Sequence, residues 1–216
     1  MNFLDIKARS KDEAKFRTVK DMLGKGLISK VLDEYDLKGE VQNNRKLFDR
    51  VVIDITNGLY CFSLAMNGQI KRARVLDLGC GSNGENAEAE LYPGEYYPWF
   101  ARALHALDIK VVGIDVGSLQ GERFEHYEKD LLTPGSLDFL GTGYFDVVYS
   151  SRLFSSPELE KRCSGIVRPG DADKNARERL RFVLLPQIER VLKKRGYFIT
   201  SNPEWTLDFE VSDLID

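Results

Sequence analysis

The sequence predicts a three-layer, doubly wound α/β domain with a mostly parallel sheet, preceded by a helical segment. Three observations carry this. After Gly68 short apolar runs alternate with helical patterns, the signature of a sheet covered on both faces. The first of those runs ends in a glycine-rich turn, Gly79-Cys80-Gly81-Ser82-Asn83-Gly84. Before Gly68, the apolar residues recur at helical spacing instead.

The elements follow in order. Segment 10–23 opens on Ser10, a suitable N-cap, and stops near Gly24 and Gly26. Segment 27–37 is a second short helix. From Asn43 to Met66, the residues Leu47, Phe48, Val51, Val52, Ile55, Leu59 and Phe62 line one face, with Thr56-Asn57-Gly58 a point of breakage or kinking. The strands expected after that are Arg74–Leu78, Val111–Asp115, Phe124–Tyr127, Phe145–Ser150 and Tyr197–Ser201. Pro98 suits a first helical position ahead of Trp99, Phe100, Ala103, Leu104 and Leu107. A long helix is expected from Asp173 to Lys194, kinked by Pro186, with Lys193, Lys194 and Arg195 at its negative end and Gly196 just beyond. The domain division is therefore 1–70, a helical cap or lid, and 71–216, the α/β domain.

Composition narrows the class. The 216 residues are 43% hydrophobic and 30% charged, ordinary for a globular domain that buries its own core. No apolar run reaches the roughly 18 residues of a membrane span, and the start of the chain is no secretory signal, so a cytoplasmic location is expected. Three scattered cysteines, Cys61, Cys80 and Cys163, argue against a disulfide framework or a zinc site. A net charge of −3 offers no global field for nucleic acid, although a local basic patch would suffice.

The chemistry concentrates in Asp77-Leu78-Gly79-Cys80-Gly81-Ser82-Asn83-Gly84. Glycines there allow a sharp turn and close approach to a ligand. Gly79, Gly81 and Gly84 alone would match a dinucleotide fingerprint. Asp77 changes the reading, because a carboxylate at the end of the first strand suits an ammonium and opposes a pyrophosphate. Asp115 also lies further downstream than the roughly 20 residues such a fingerprint expects.

Val75-Leu76-Asp77-Leu78-Gly79-Cys80-Gly81 resembles motif I of the class I S-adenosylmethionine-dependent methyltransferases. The resemblance continues in order through Val112–Asp115, Glu128–Leu131, Phe145–Ser150 and Ile188–Phe198, covering about residues 72–202. It implies the Rossmann-like methyltransferase fold and S-adenosyl-L-methionine as cofactor. It also implies that Asp77, Gly79, Cys80, Gly81 and Asn83 hold the cofactor from the first strand's turn. Asp115 and Val116 would serve the ribose end, Asp130 and Leu131 the adenine end, and Ser150 the region beside the methyl donor. A carboxylate suits a ribose diol because it offers strong acceptors to two hydroxyls.

The departures are specific. Asn83 stands where the family usually has a glycine. An extra stretch, Glu85–Tyr97, is expected to cover part of the site through Tyr92, Tyr96 and Tyr97. The family adds an antiparallel hairpin after its fifth strand, whereas only residues 202–216 remain here, with Leu207, Phe209 and Val211 alternating. Either the sheet is abbreviated at its C-terminal edge, or the sequence is a piece of a longer one. Asn202-Pro203-Glu204-Trp205 resembles the NPPY-type motif of amino-methylating enzymes but follows the wrong strand and lacks the second proline, so it reads as a turn.

No catalytic base is assigned. His105 and His126 read as structural, Cys80 as a small packing residue, and Ser150-Ser151-Arg152-Leu153 as substrate-facing or simply a polar loop. Lys174, Arg177, Arg179 and Arg181 read as a solvated helix face. The expected function is methyl transfer. The acidic balance favours a small-molecule acceptor, with nucleic acid and protein left open, and no membrane partner is expected. The alternatives are a non-catalytic cofactor-binding partner subunit and a nicotinamide-dependent oxidoreductase.

Overall fold

A computed structural model describes residues 2–5, 19, 26–67, 69–82, 96–151, 153 and 172–201. Among these residues six strands form one parallel sheet: β1 (Asn2–Asp5), β2 (Arg74–Leu78), β3 (Lys110–Asp115), β4 (Glu125–Glu128), β5 (Phe145–Ser151) and β6 (Leu192–Ser201). Their spatial order is β1-β6-β5-β2-β3-β4, and every pairing is parallel. The chain runs outward from β2 to β3 and β4, then returns to build β5 and β6 on the other side. The sheet is therefore doubly wound, with its topological switch point between β2 and β5.

Among the described residues five helices accompany it: α1 (Leu27–Glu34), α2 (Lys38–Asn43), α3 (Arg45–Met66), α4 (Trp99–Ala106) and α5 (Ala172–Val191). Alternation along the strands sends successive side chains to opposite faces. Val75, Val111, Val147, Tyr149 and Ile199 join a core with α1, α3 and α4, while Leu76, Ile114, Val148 and Phe198 join another with Leu184, Ile188 and Val191 of α5. The result is a three-layer α/β fold, as expected. Each large side chain fully buried in these layers, such as Trp99 or Phe62, contributes roughly 1.5–3 kcal/mol by removal from water.

The long helix α3 forms because Asn44 Oδ1 accepts the Leu47 N–H at 3.2 Å and Asn67 closes the other end in the left-handed region. It continues unbroken through Thr56-Asn57-Gly58, against the expected break. Gly58 is there for packing, since a Cβ would overlap the Phe100 ring. That close approach lets Phe100 wedge between Phe62 and Tyr149, with ring centroids 6.5 and 4.4 Å away. The helices of the N-terminal segment thus form one layer of the sandwich.

Two further expectations are corrected. Residues 2–5, read as part of a helical start, form the edge strand β1 against β6; four residues without turn signals carry too little pattern, and the pairing is tertiary. The helix expected to run to Lys194 ends at Val191, because Gly143 N–H and Tyr144 N–H donate to the Arg190 and Val191 carbonyls at 2.9 and 2.8 Å. Leu192 already pairs with Phe145, but Val147 pairs with Tyr197, so Lys193–Gly196 bulge out of register. Gly196 lies against the Asp146 carbonyl, inside β6 rather than at a helix end. Helix α5 does pass through Pro186.

Helix 10–23 apart from Val19, Asn83 and Gly84, most of the Glu85–Tyr97 stretch including Tyr92, Arg152, Cys163, the side chains of Lys174, Arg177 and Arg179, and everything after Ser201 lie outside the described residues. No helix among the described residues is long and apolar enough to cross a membrane.

Candidate functional site

The strands end together at their carboxyl edge, and the glycine turn emerges from β2 at the switch point. Gly79 N–H and Cys80 N–H both donate to the Ile114 carbonyl, at 2.8 and 3.2 Å, which folds the turn over the end of β3. Gly79 and Gly81 hold φ of 66° and 101°, conformations that glycine adopts without steric cost. A Cβ on Gly81 would overlap the Tyr96 carbonyl. The same carbonyl accepts the Ser82 N–H at 2.8 Å, so the returning end of the extra stretch closes onto the turn.

Asp77 sits on β2 opposite Gly113 of β3 and Tyr149 of β5. It is 1% exposed. Burial pushes its carboxyl well above the usual range, and the negative charge of Asp115 pushes it further. Among the described residues no cation pairs with it. Cys80 places its sulfur over Gly113, where a side chain on that residue would lie. Burial and then the charges of Asp77, Asp115 and Glu122 push its thiol up, which disfavours the thiolate that a nucleophile needs. Cys61 and Cys80 are both free.

Asp115, half-buried at the end of β3, ties two loops together. Its Oδ2 accepts the Gly81 N–H and its Oδ1 accepts the Gly117 N–H, each at 3.0 Å. A carboxylate oxygen bears two lone pairs, so each retains acceptor capacity toward a ligand hydroxyl. Val116 follows, 42% exposed, an apolar surface beside the acids. The Lys129 N–H donates to the Asp115 carbonyl at 2.7 Å, bringing the segment after β4 alongside. Asp130 Oδ1 accepts the Leu132 N–H at 2.9 Å, a local turn bond. Leu131 points into the core below α5 and presents no side chain to the edge.

The structure therefore gathers Asp77, Gly79, Cys80, Gly81, Asp115, Val116 and Asp130 at one edge. Ser150 is at the same edge but on the opposite sheet face: Tyr149 shares the Asp77 face, and Ser150 alternates with it. Its hydroxyl is buried with no hydrogen-bond partner among the described residues. Asn83 lies outside the described residues.

Sequence reasoning missed the support behind the turn. Arg102 of α4 and Glu122 form a buried pair, 3% and 0% exposed, with Nε 3.0 Å from Oε2 and a second nitrogen 2.5 Å from Oε1. The guanidinium lies 4.1, 4.7 and 5.0 Å from the rings of Tyr35, Tyr97 and Trp99. Tyr97 is thus committed to this cage, contrary to its expected place over the site. Burial also pushes the Tyr35 hydroxyl up to about 12. The only sequence signal was an arginine amid apolar residues of a helix, easily read as solvent-facing. His105 is 3.5 Å from Glu34, and His126 Nδ1 is 2.9 Å from the Phe124 carbonyl.

No protein-family model and no curated protein matches the chain. Among solved structures it is similar to the trans-methyltransferase CalH, described as a complex with SAH, at 14% identity over 88% of this chain and 54% of that one, with a TM-score of 0.33. The chain thus spans about half the length of the structure it matches.

Proposed function

We propose that the chain is an S-adenosylmethionine-dependent methyltransferase acting on a small-molecule acceptor. The observation that carries this reading is the pair of carboxylates flanking the glycine turn. Asp77 is buried without a protein cation among the described residues, and Asp115 stands next to it. A site so arranged favours a ligand bearing an ammonium and a diol, and it disfavours the pyrophosphate of a nicotinamide cofactor.

The residues fit such a cofactor. Asp77 would take the ammonium of its amino-acid end, Asp115 the ribose hydroxyls, and the Val116 side chain an apolar face of the base. Asp130 and the backbone at Leu131 would lie toward the adenine amino group, with Ser150 and Asn83 in the further surroundings. When bound, the sulfonium supplies an activated methyl group. The chain's own contribution is then to hold the cofactor, exclude water and align the acceptor. The reading assigns no general base: His126 is level with Asp77 across β3, but its Nδ1 is engaged with the Phe124 carbonyl at 2.9 Å. Segment 43–66 and the loop after β5 would shape the acceptor side.

The test is turnover. Purified chain is incubated with S-adenosylmethionine and a panel of small amines, phenols and carboxylic acids, and S-adenosylhomocysteine release is followed. Acceptor-dependent release supports the reading; cofactor binding without release from any acceptor class favours a non-catalytic partner subunit.

A further inference from the structure

The opposite, amino edge of the sheet carries a different charge. Lys71 and Arg72 lie exposed in the turn leading into β2, and Lys110 opens β3, also exposed. The bulge at the start of β6 adds Lys193, Lys194 and Arg195, all exposed. These last three belong to the rim because α5 ends early; on a longer helix they would point elsewhere. Acidic residues here are Asp108, Glu189 and Asp146, and Asp146 is neutralised by Lys193 Nζ at 2.7 Å. A chain of net charge −3 therefore concentrates positive charge along one rim.

We propose that this rim binds the phosphate backbone of a nucleic-acid strand. The cations stand at β6, β2 and β3, with β5 lying between the first two, a row about 14 Å long at the usual strand spacing. That suits several phosphates in succession better than a single enclosed anion. At its centre the Arg74 guanidinium lies 4.3 Å from the ring of Tyr144, which is 42% exposed. An exposed aromatic among cations offers a base a stacking surface. A lipid surface would ask for apolar side chains to insert, and Tyr144 is the one exposed large hydrophobic that the described rim presents. Three residues of β2 separate Arg74 at the rim from Asp77, about 10 Å along the strand, so a strand bound here lies toward the opposite end of the sheet from the carboxyl-edge site.

The test is fluorescence anisotropy of the full chain with labelled single-stranded and duplex oligonucleotides at low and physiological salt. The variants are Lys194→Glu with Arg195→Glu, and Lys71→Glu with Arg72→Glu. The control is Arg45→Glu with Lys46→Glu, an equal charge change at exposed positions at the start of α3. The proposal expects each rim pair to weaken binding at least about tenfold, the control to leave it unchanged, and log affinity to fall with log salt at a slope of about −2 to −3. Absence of binding at low salt, equal loss in the control, or binding to phosphatidylserine vesicles but to no oligonucleotide would overturn it. The assay contains no cofactor, so its failure leaves the methyltransferase reading standing.

Discussion

The Asp115 carboxylate accepts the Gly81 N–H at 3.0 Å, fastening the end of β3 to the turn that leaves β2. Its other oxygen holds Gly117. Replacing Asp115 with Ala strands two backbone donors at once. The expected cost is about 1–3 kcal/mol of unfolding free energy, measured by urea denaturation. Asp115→Asn keeps one acceptor oxygen and loses less stability, while both variants lose affinity for S-adenosylmethionine.

Asp77 makes stability and binding respond oppositely to pH. Its folded-state pKa is raised, so above the ordinary carboxyl value of about 4 the folded chain retains a proton that the unfolded chain has lost. The stability this group contributes is present at low pH and is lost as pH rises toward the folded pKa. Asp77→Asn is expected to raise Tm at about pH 8 by a few degrees and to flatten that dependence. A cationic ligand needs the ionised carboxylate. Affinity for S-adenosylmethionine therefore rises with pH above the ordinary carboxyl range in the wild type, with proton release visible as a buffer-dependent binding enthalpy.

Breaking the Arg102–Glu122 pair leaves a buried charge behind. Arg102→Met is expected to destabilise by about 3–5 kcal/mol in urea denaturation. Arg102→Lys rescues little, because an ammonium can neither bridge Glu122 with two nitrogens nor lie flat among three rings.

Gly81→Ala asks the turn for a side chain at φ 101° directly against the Tyr96 carbonyl. Loss of cofactor binding, with a fall in Tm, is expected. Gly58→Ala gains about 1 kcal/mol of helix propensity but displaces Phe100 from Tyr149, and a net loss of about 1–2 kcal/mol is expected.

The layered fold was legible because β2, β3 and β5 are apolar runs bounded by turns and α4 has a clear buried face. The site was legible where backbone chemistry demanded particular residues: glycines at Gly79 and Gly81, acids at the strand ends of Asp77 and Asp115. What escaped were relationships between distant segments. β1 depends on pairing with β6, the end of α5 on bonds from Gly143 and Tyr144, and the Arg102 cage on rings contributed by α1 and the Tyr97 turn. Gly58 read as a helix breaker for the same reason, since its partner, Phe100, arrives from another helix.

The most direct measurement is titration calorimetry of the chain with S-adenosylmethionine, with NAD as comparison, repeated on Asp77→Asn. The account predicts binding in about the micromolar range, weakened at least about tenfold by the substitution, and no response to NAD. Binding of NAD in place of S-adenosylmethionine, or S-adenosylmethionine binding undiminished in Asp77→Asn, would contradict it.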